Sequence, residues 1–214
     1  MKIDSIRYLF KAFTGEFENK CRQSTFYIIT EPGNFVSNII LIGFMSCGKS
    51  SVGRHLAKES GMNLFDLDSM IVERAGMSIP DIFATVGEKA FRDLESYVTS
   101  LISKYEASIF ATGGGVVLRE SNRKILKKSG MVIWLKTTPE NVLKYTSKDN
   151  NRPLLEGNKS LEKIQTMMAQ REPVYAECAH YSINAWENNL HQIAEKIWSF
   201  YEDFQNAGKP LLTS

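Results

Sequence analysis

Residues 38–50 read Asn38-Ile39-Ile40-Leu41-Ile42-Gly43-Phe44-Met45-Ser46-Cys47-Gly48-Lys49-Ser50. Ile39 to Ile42 form a continuous apolar run, the pattern of a strand buried on both faces. Gly43 to Ser50 match G-x-x-x-x-G-K-S/T in full, and a helical stretch follows from about Lys49 to Glu59. Strand, glycine-bounded loop and helix, in that order, are the context that gives this motif its meaning. The glycines let the backbone wrap closely around phosphate oxygens. Successive N–H groups then form an anion nest, and the helix N-terminus adds partial positive charge. Ser46, Cys47, Gly48, Lys49, Ser50 and Ser51 are therefore the expected nucleotide contacts. Lys49 is expected to reach the β- and γ-phosphates and Ser50 to bind Mg²⁺. A merely flexible turn would account for the glycines but not for Lys49-Ser50. An Asn-Lys-x-Asp motif for guanine is absent, which argues against a GTPase.

Outward from this loop, short apolar runs alternate with helical patterns. Asn63–Asp66, Ser108–Ala111, Met131–Leu135 and Tyr181–Ala185 read as four further strands. Helices are expected over 87–105, 120–128, Pro139 to about Thr146, 160–171 and 188–205. The alternation predicts an α/β fold: a parallel sheet of five strands with right-handed crossovers and its ligand site at the carboxyl ends of the strands. Residues 147–160 are polar, carry Arg152, Pro153 and Gly157, and read as a mobile loop. Residues 1–37 stand apart as an N-terminal extension. Ile6, Leu9, Phe10, Phe13 and Phe17 are spaced as one helical face, Phe26–Thr30 as a short strand, and Pro32-Gly33-Asn34 as a turn. The kinase-like unit is thus expected over 38–205, with a flexible tail over 206–214.

Composition is that of an ordinary globular chain: 214 residues, 43% hydrophobic, 23% charged. With 26 Lys+Arg against 24 Asp+Glu, the net charge of +2 gives no reason to expect nucleic acid or a membrane surface as partner. No run approaches the roughly 20 apolar residues of a membrane span. The N-terminal region lacks a signal-peptide core and carries Asp4, Glu16 and Glu18. Three cysteines, Cys21, Cys47 and Cys178, share no metal-ligand spacing. A reducing, cytoplasmic setting and a monomer are the expectations.

Phosphoryl transfer to an alcohol needs a metal-organising group and a proton acceptor. Asp66-Leu67-Asp68 ends the second strand, and in an extended segment both carboxylates would face the phosphate loop. One of the two would organise the metal, directly or through water, and the other would accept the proton of the attacking hydroxyl. Arg92 is flanked by Phe83 and Phe91, whose rings could wall a pocket, and Arg171 precedes Pro173, which signals a helix break. Either arginine alone reads as an ordinary surface charge. Thr112-Gly113-Gly114-Gly115 follows the third strand, and such a glycine run suggests close backbone approach to a ligand.

Taken together these pieces resemble shikimate kinase. The resemblance runs from about Asn38 to the last helix. It rests on Gly43–Ser50 with Val52-Gly53, Asp66-Leu67-Asp68, Ser78–Phe83, Gly87-Glu88 with Phe91-Arg92 and Glu95, Gly113-Gly114-Gly115, Arg152-Pro153-Leu154-Leu155 and Arg171–Tyr175. It implies a three-layer, nucleoside-monophosphate-kinase-like fold with a lid, and transfer of the ATP γ-phosphoryl group to the 3-hydroxyl of shikimate in aromatic amino-acid biosynthesis. It further implies Asp68 as base and shikimate ligand, Asp66 supporting the metal beside Ser50, Arg92 and Arg171 on the shikimate carboxylate, Gly114 and Gly115 lining its pocket, and Arg152 closing over both substrates. Four departures stand out. Cys47 replaces a small residue in the loop, and Lys144-Tyr145-Thr146-Ser147-Lys148 replaces an arginine that stacks near adenine. No aspartate precedes the triple glycine, and the N-terminal extension has no counterpart in short family members. Arg92, Arg171 and the triple glycine together favour this reading over a gluconate-type kinase on the same fold, and a non-catalytic nucleotide binder lacks a reason for Asp68.

Overall fold

The computed structural model describes residues 37–146 and 160–207. The readings made for residues 1–36, for the lid with Arg152, and for the tail beyond Ala207 lie outside the described residues.

β1 (Asn38–Ile42) is buried along its whole length. Its alternation divides two cores. Ile39 and Leu41 join Val52, Leu56, Ile193 and Ile197 on one face of the sheet. Ile40 and Ile42 join Leu67, Ile71, Phe91, Val98 and Ile164 on the other. Each such burial contributes about 1.5–3 kcal/mol, which is why an uninterrupted apolar run, rather than an alternating one, marks this strand. α1 (Lys49–Ser60) follows, then β2 (Asn63–Asp66), α2 (Leu67–Ala75) and the long α3 (Ile79–Leu101). β3 (Ser108–Ala111), α4 (Glu120–Ser129), β4 (Gly130–Lys136), α5 (Pro139–Thr146), α6 (Leu161–Cys178), β5 (Tyr181–Asn184) and α7 (Leu190–Ala207) complete the order.

The five strands form one sheet in the order β2-β3-β1-β4-β5. All four pairings are parallel, with Ile40 opposite Phe110 on one side and Val132 on the other. α1 and α7 cover one face and the remaining helices the other. This is the expected three-layer architecture. The chain leaves β1 towards β3 and β2 on one side, and its later strands build on the other. The crevice beyond Ile42, where the two directions part, is the natural ligand site.

Several boundaries differ from expectation, each for a physical reason. The segment after β2 is helical rather than extended, because Asp66 caps α2 by accepting the Ser69 N–H at 3.2 Å. The helix expected from residue 87 begins at Ile79, where Ser78 Oγ accepts the Asp81 N–H and Pro80 sits in the first turn. Gly87 (φ 83°) kinks it, and a 3-10 turn over Ile102–Lys104 follows. α6 runs on through Pro173 to Cys178 instead of breaking. Packing of its buried face offsets the local cost of about 3 kcal/mol. α7 starts at Leu190 because Asn189 and Gln192 exchange side chain-to-backbone bonds at 3.0 Å each, and it carries Asn206 and Ala207 as helix. No described helix is long and apolar enough to cross a membrane.

Candidate active site

The phosphate loop closes on itself through Lys49. Its Nζ donates to the Gly43 and Phe44 carbonyls at 2.8 Å each and lies 3.5 Å from Cys47 Sγ. The lysine is 8% exposed, so its charge is largely desolvated and satisfied by loop oxygens. Gly48 adopts φ 97° at the N-cap of α1, a left-handed conformation that glycine tolerates, and supplies no side-chain cap. The first N–H groups of α1 are thereby left for an anion. Ser46 is also left-handed, at φ 60°. Cys47 is a buried, free thiol.

Ser50 Oγ donates to Asp66 Oδ2 at 2.7 Å. Asp66 thus joins α1 to the start of α2, its other oxygen being the cap on Ser69. Asp68 lies one step into α2, yet it still faces the loop: Asp66, Asp68 and loop residues 45–52 line one cavity of about 680 Å³. A Cβ on Gly113 would meet Asp68 Oδ1 at 2.7 Å and Glu95 Oε1 at 3.2 Å, which fixes Asp68 against the triple-glycine turn. Thr112 occupies the position before that turn and ties it to β1, its Oγ1 donating to the Leu41 carbonyl at 2.9 Å. Ser51 lines the same cavity, with its Oγ accepting from Arg54 at 3.3 Å.

Arg92 and Arg171 are both buried, at 7% and 8% exposure, unlike ordinary surface charges. Arg92 Nη1 donates to Glu95 at 2.9 Å, and its Nε and Nη2 donate to Glu88 at 3.3 and 3.1 Å. Burial raises the Glu95 carboxyl above the usual carboxylate range, with Arg92 pulling the other way. Arg171 Nη1 donates to the Gly114 carbonyl at 3.3 Å and its guanidinium lies 5.4 Å over the Phe44 ring. Tyr175 OH donates to the same carbonyl at 2.5 Å. Burial pushes the Tyr175 phenol far up, so it remains a donor. Arg171 and Tyr175 are one turn apart on α6.

The triple glycine is the hub. Gly113 abuts Asp68, a Cβ on Gly114 would come within 3.1 Å of Met45 N, and Gly115 packs on the Arg92 guanidinium. A methyl at Gly115 would overlap Arg92 Cζ at 2.7 Å. Arg92 has little room to retreat, because Glu95 and Glu88 hold it. Gly115→Ala is therefore expected to cost about 1–3 kcal/mol of stability, read as a fall in Tm by calorimetry. An unchanged Tm would mean that Arg92 swings freely.

Asp66, Asp68, Lys49, Ser50 and Gly114 thus share one cavity, while Arg92 and Arg171 stand behind the glycine turn; Arg152 lies outside the described residues. Four side chains carried no role in the sequence reading. Glu88, Glu95 and Tyr175 had a usable signal in their helical spacing from Arg92 and Arg171. Trp186 had none: with Tyr145, Thr137 and Asn141 it lines the far end of the cavity, brought there only by the path of β5.

Known proteins are similar to this chain over most of its length. The family model described as shikimate kinase matches residues 45–202. A shikimate kinase from Thermodesulfovibrio yellowstonii is 39% identical over 171 residues, 80% of this chain and 98% of that protein. One from Geobacter metallireducens is 42% identical over 167 residues, 78% of this chain and 93% of its own. Among solved structures, shikimate kinase from Acinetobacter baumannii in complex with shikimate superposes with a TM-score of 0.75 at 37% identity, covering 82% of this chain and 97% of that one. With near-complete coverage of these relatives and the phosphate loop, carboxylates and buried arginines gathered on one glycine turn, the chain belongs to the shikimate kinase family.

Proposed function

We infer that this chain phosphorylates the 3-hydroxyl of shikimate with ATP, giving shikimate 3-phosphate and ADP. The observation that carries this reading is the glycine turn, which bears at once on the phosphate loop, Asp68 and two buried arginines. The N–H groups of Ser46–Ser51 and the Lys49 ammonium hold the phosphates and meet the charge that develops on the transferring group. Asp68 accepts the hydroxyl proton as the new O–P bond forms and the β–γ bridging bond breaks. Gly114 and Gly115 line the acceptor pocket, and Arg152 closes over both substrates. Ser50 Oγ and Asp66, hard oxygen donors already 2.7 Å apart, fit a Mg²⁺ site. When bound, that ion neutralises charge on the β- and γ-oxygens. Tyr145 and Trp186 replace the missing adenine-stacking arginine with aromatic faces. The protein works as a cytoplasmic monomer, a setting that suits the free thiols of Cys47 and Cys178.

Arg92 and Arg171 define the acceptor as a carboxylate-bearing molecule. A carboxylate is strongly hydrated, and burying it requires charge-assisted hydrogen bonds in return. In a coupled ADP-release assay, shikimate should be turned over and gluconate not; because gluconate also carries a carboxylate, that contrast tests the shape of the glycine-walled pocket rather than the arginines alone. Arg171→Ala should cost about 2–5 kcal/mol of acceptor binding, the range for breaking a buried charge pair. At Arg92 the informative change is lysine, since alanine would strand buried Glu95. Arg92→Lys should rescue only in part, lacking the planar fork. ATP affinity should change far less. An unchanged shikimate KM in both variants would remove these arginines from the acceptor site.

The kinase unit spans 38–205, and residues 1–37 are an appendage to it. The truncated chain lacking 1–34 is expected to keep its kcat. A folded truncation without activity would assign the extension to the active site.

A further inference from the structure

On the face of the sheet opposite the arginines, α1 packs beside α7, and three ligating side chains meet across the joint. His55 and Glu59 stand one turn apart on α1; His191 comes from the first turn of α7. One ligand atom from each lies within 4.8 Å of the other two. An exposed His–Glu pair is common and worth little, but three details here exceed one. His55 Nε2 is a buried nitrogen with no hydrogen-bond partner, although Glu59 Oε1 is 3.1 Å away. The Glu59 carboxylate is already oriented, because Trp198 Nε1 donates to its Oε2 at 3.0 Å and leaves Oε1 facing both imidazoles. His191 presents Nδ1 to Glu59 Oε1 at 4.0 Å, while its Nε2 faces Glu195 Oε1 at 3.4 Å. An outer carboxylate on the far ring nitrogen is the arrangement that fixes the tautomer of a metal-binding histidine.

We propose that His55 Nε2, Glu59 Oε1 and His191 Nδ1 bind a borderline divalent transition metal, zinc being the type case, which clamps α1 to α7. Two imidazoles and one carboxylate, with water completing the shell, suit zinc and its neighbours rather than Mg²⁺ or Ca²⁺. With metal–ligand bonds of about 2.0–2.2 Å, tetrahedral ligands stand about 3.4 Å apart. The separations of 3.1 and 4.0 Å straddle that value, and His191, 69% exposed, is free to close the difference. The site is distinct from the Mg²⁺ position at Ser50 and Asp66. Its occupant braces the nucleotide cavity, since α1 carries Lys49 at its start and Leu190 and Ile193 of α7 line the same space.

The test uses the untagged full chain, freed of metal by chelation and dialysis. Zn²⁺ is titrated by calorimetry and Co²⁺ by absorption. One equivalent of Zn²⁺ should bind, and at a hundredfold excess over Kd the Tm should rise by roughly 5–10 °C. His191→Ala, an exposed change, should abolish that rise, and Glu195→Gln should weaken binding by about 10–100-fold. Co²⁺ should show nitrogen–oxygen ligation without a thiolate charge-transfer band. Equal Zn²⁺ affinity in His191→Ala, or a thiolate band, would put the metal on cysteine and overturn the assignment. Absence of stoichiometric binding would reduce the cluster to plain ion pairs.

Discussion

Lys49→Ala is expected to lower kcat/KM by about 10²–10³-fold, the usual effect of removing one preorganised donor from developing charge. The lysine has a second job in the structure, bridging the Gly43 and Phe44 carbonyls. Two readouts separate the roles. If Lys49 only braces the loop, Tm falls, ADP binds less tightly, and saturating nucleotide restores most of kcat. If it meets the transferring phosphoryl group, kcat stays low at saturation. A loss below tenfold would contradict its assignment to the chemistry.

Asp68→Asn should lose about 10²–10⁴-fold in kcat, the span of general-base contributions, while ATP binding survives. The amide keeps the shape beside Gly113 but cannot take the hydroxyl proton. Asp68 also sits in the first turn of α2, where a carboxylate favours the helix by about 0.3–1 kcal/mol. A small drop in Tm is therefore expected and is not the cause of the rate loss. Near-normal kcat with a raised shikimate KM would move the base elsewhere and leave Asp68 as a positioning group.

Much of the fold was legible because its signals are local. Uninterrupted apolar runs mark strands buried on both faces, and the loop from Gly43 to Ser50 carries its flanks with it. Asp66 and Asp68 stand out in the sequence as a pair, but the backbone that carries them does not. Asp66 turns the chain into α2, and an aspartate that ends a strand looks the same in sequence as one that caps a helix. Pro173 signals a stop on local cost alone, and the tertiary bonds of Arg171 and Tyr175 to Gly114 that carry the helix past it have no local signature. The burial of Arg92 was hidden for the same kind of reason. Its partners on α3 are visible as spacing, but that this face turns inward depends on Gly115, which arrives from β3. Trp186 belongs to the cavity only through the sheet order, which no stretch of sequence encodes.

The carbonyl of Gly114 receives both Arg171 and Tyr175, and the same residue touches the backbone of Met45. One residue thus joins the buried arginine of α6 to the phosphate loop. Anyone redesigning the enzyme for an uncharged polyol would first replace Arg171, and would find that the change does not stop there: the hydroxyl of Tyr175 keeps the carbonyl, Phe44 loses the cation above its ring, and the nucleotide loop settles differently. On the function proposed above, acceptor choice and nucleotide handling are then expected to change together. A library that varies Phe44, Arg171 and Tyr175 together is the smallest that respects the coupling.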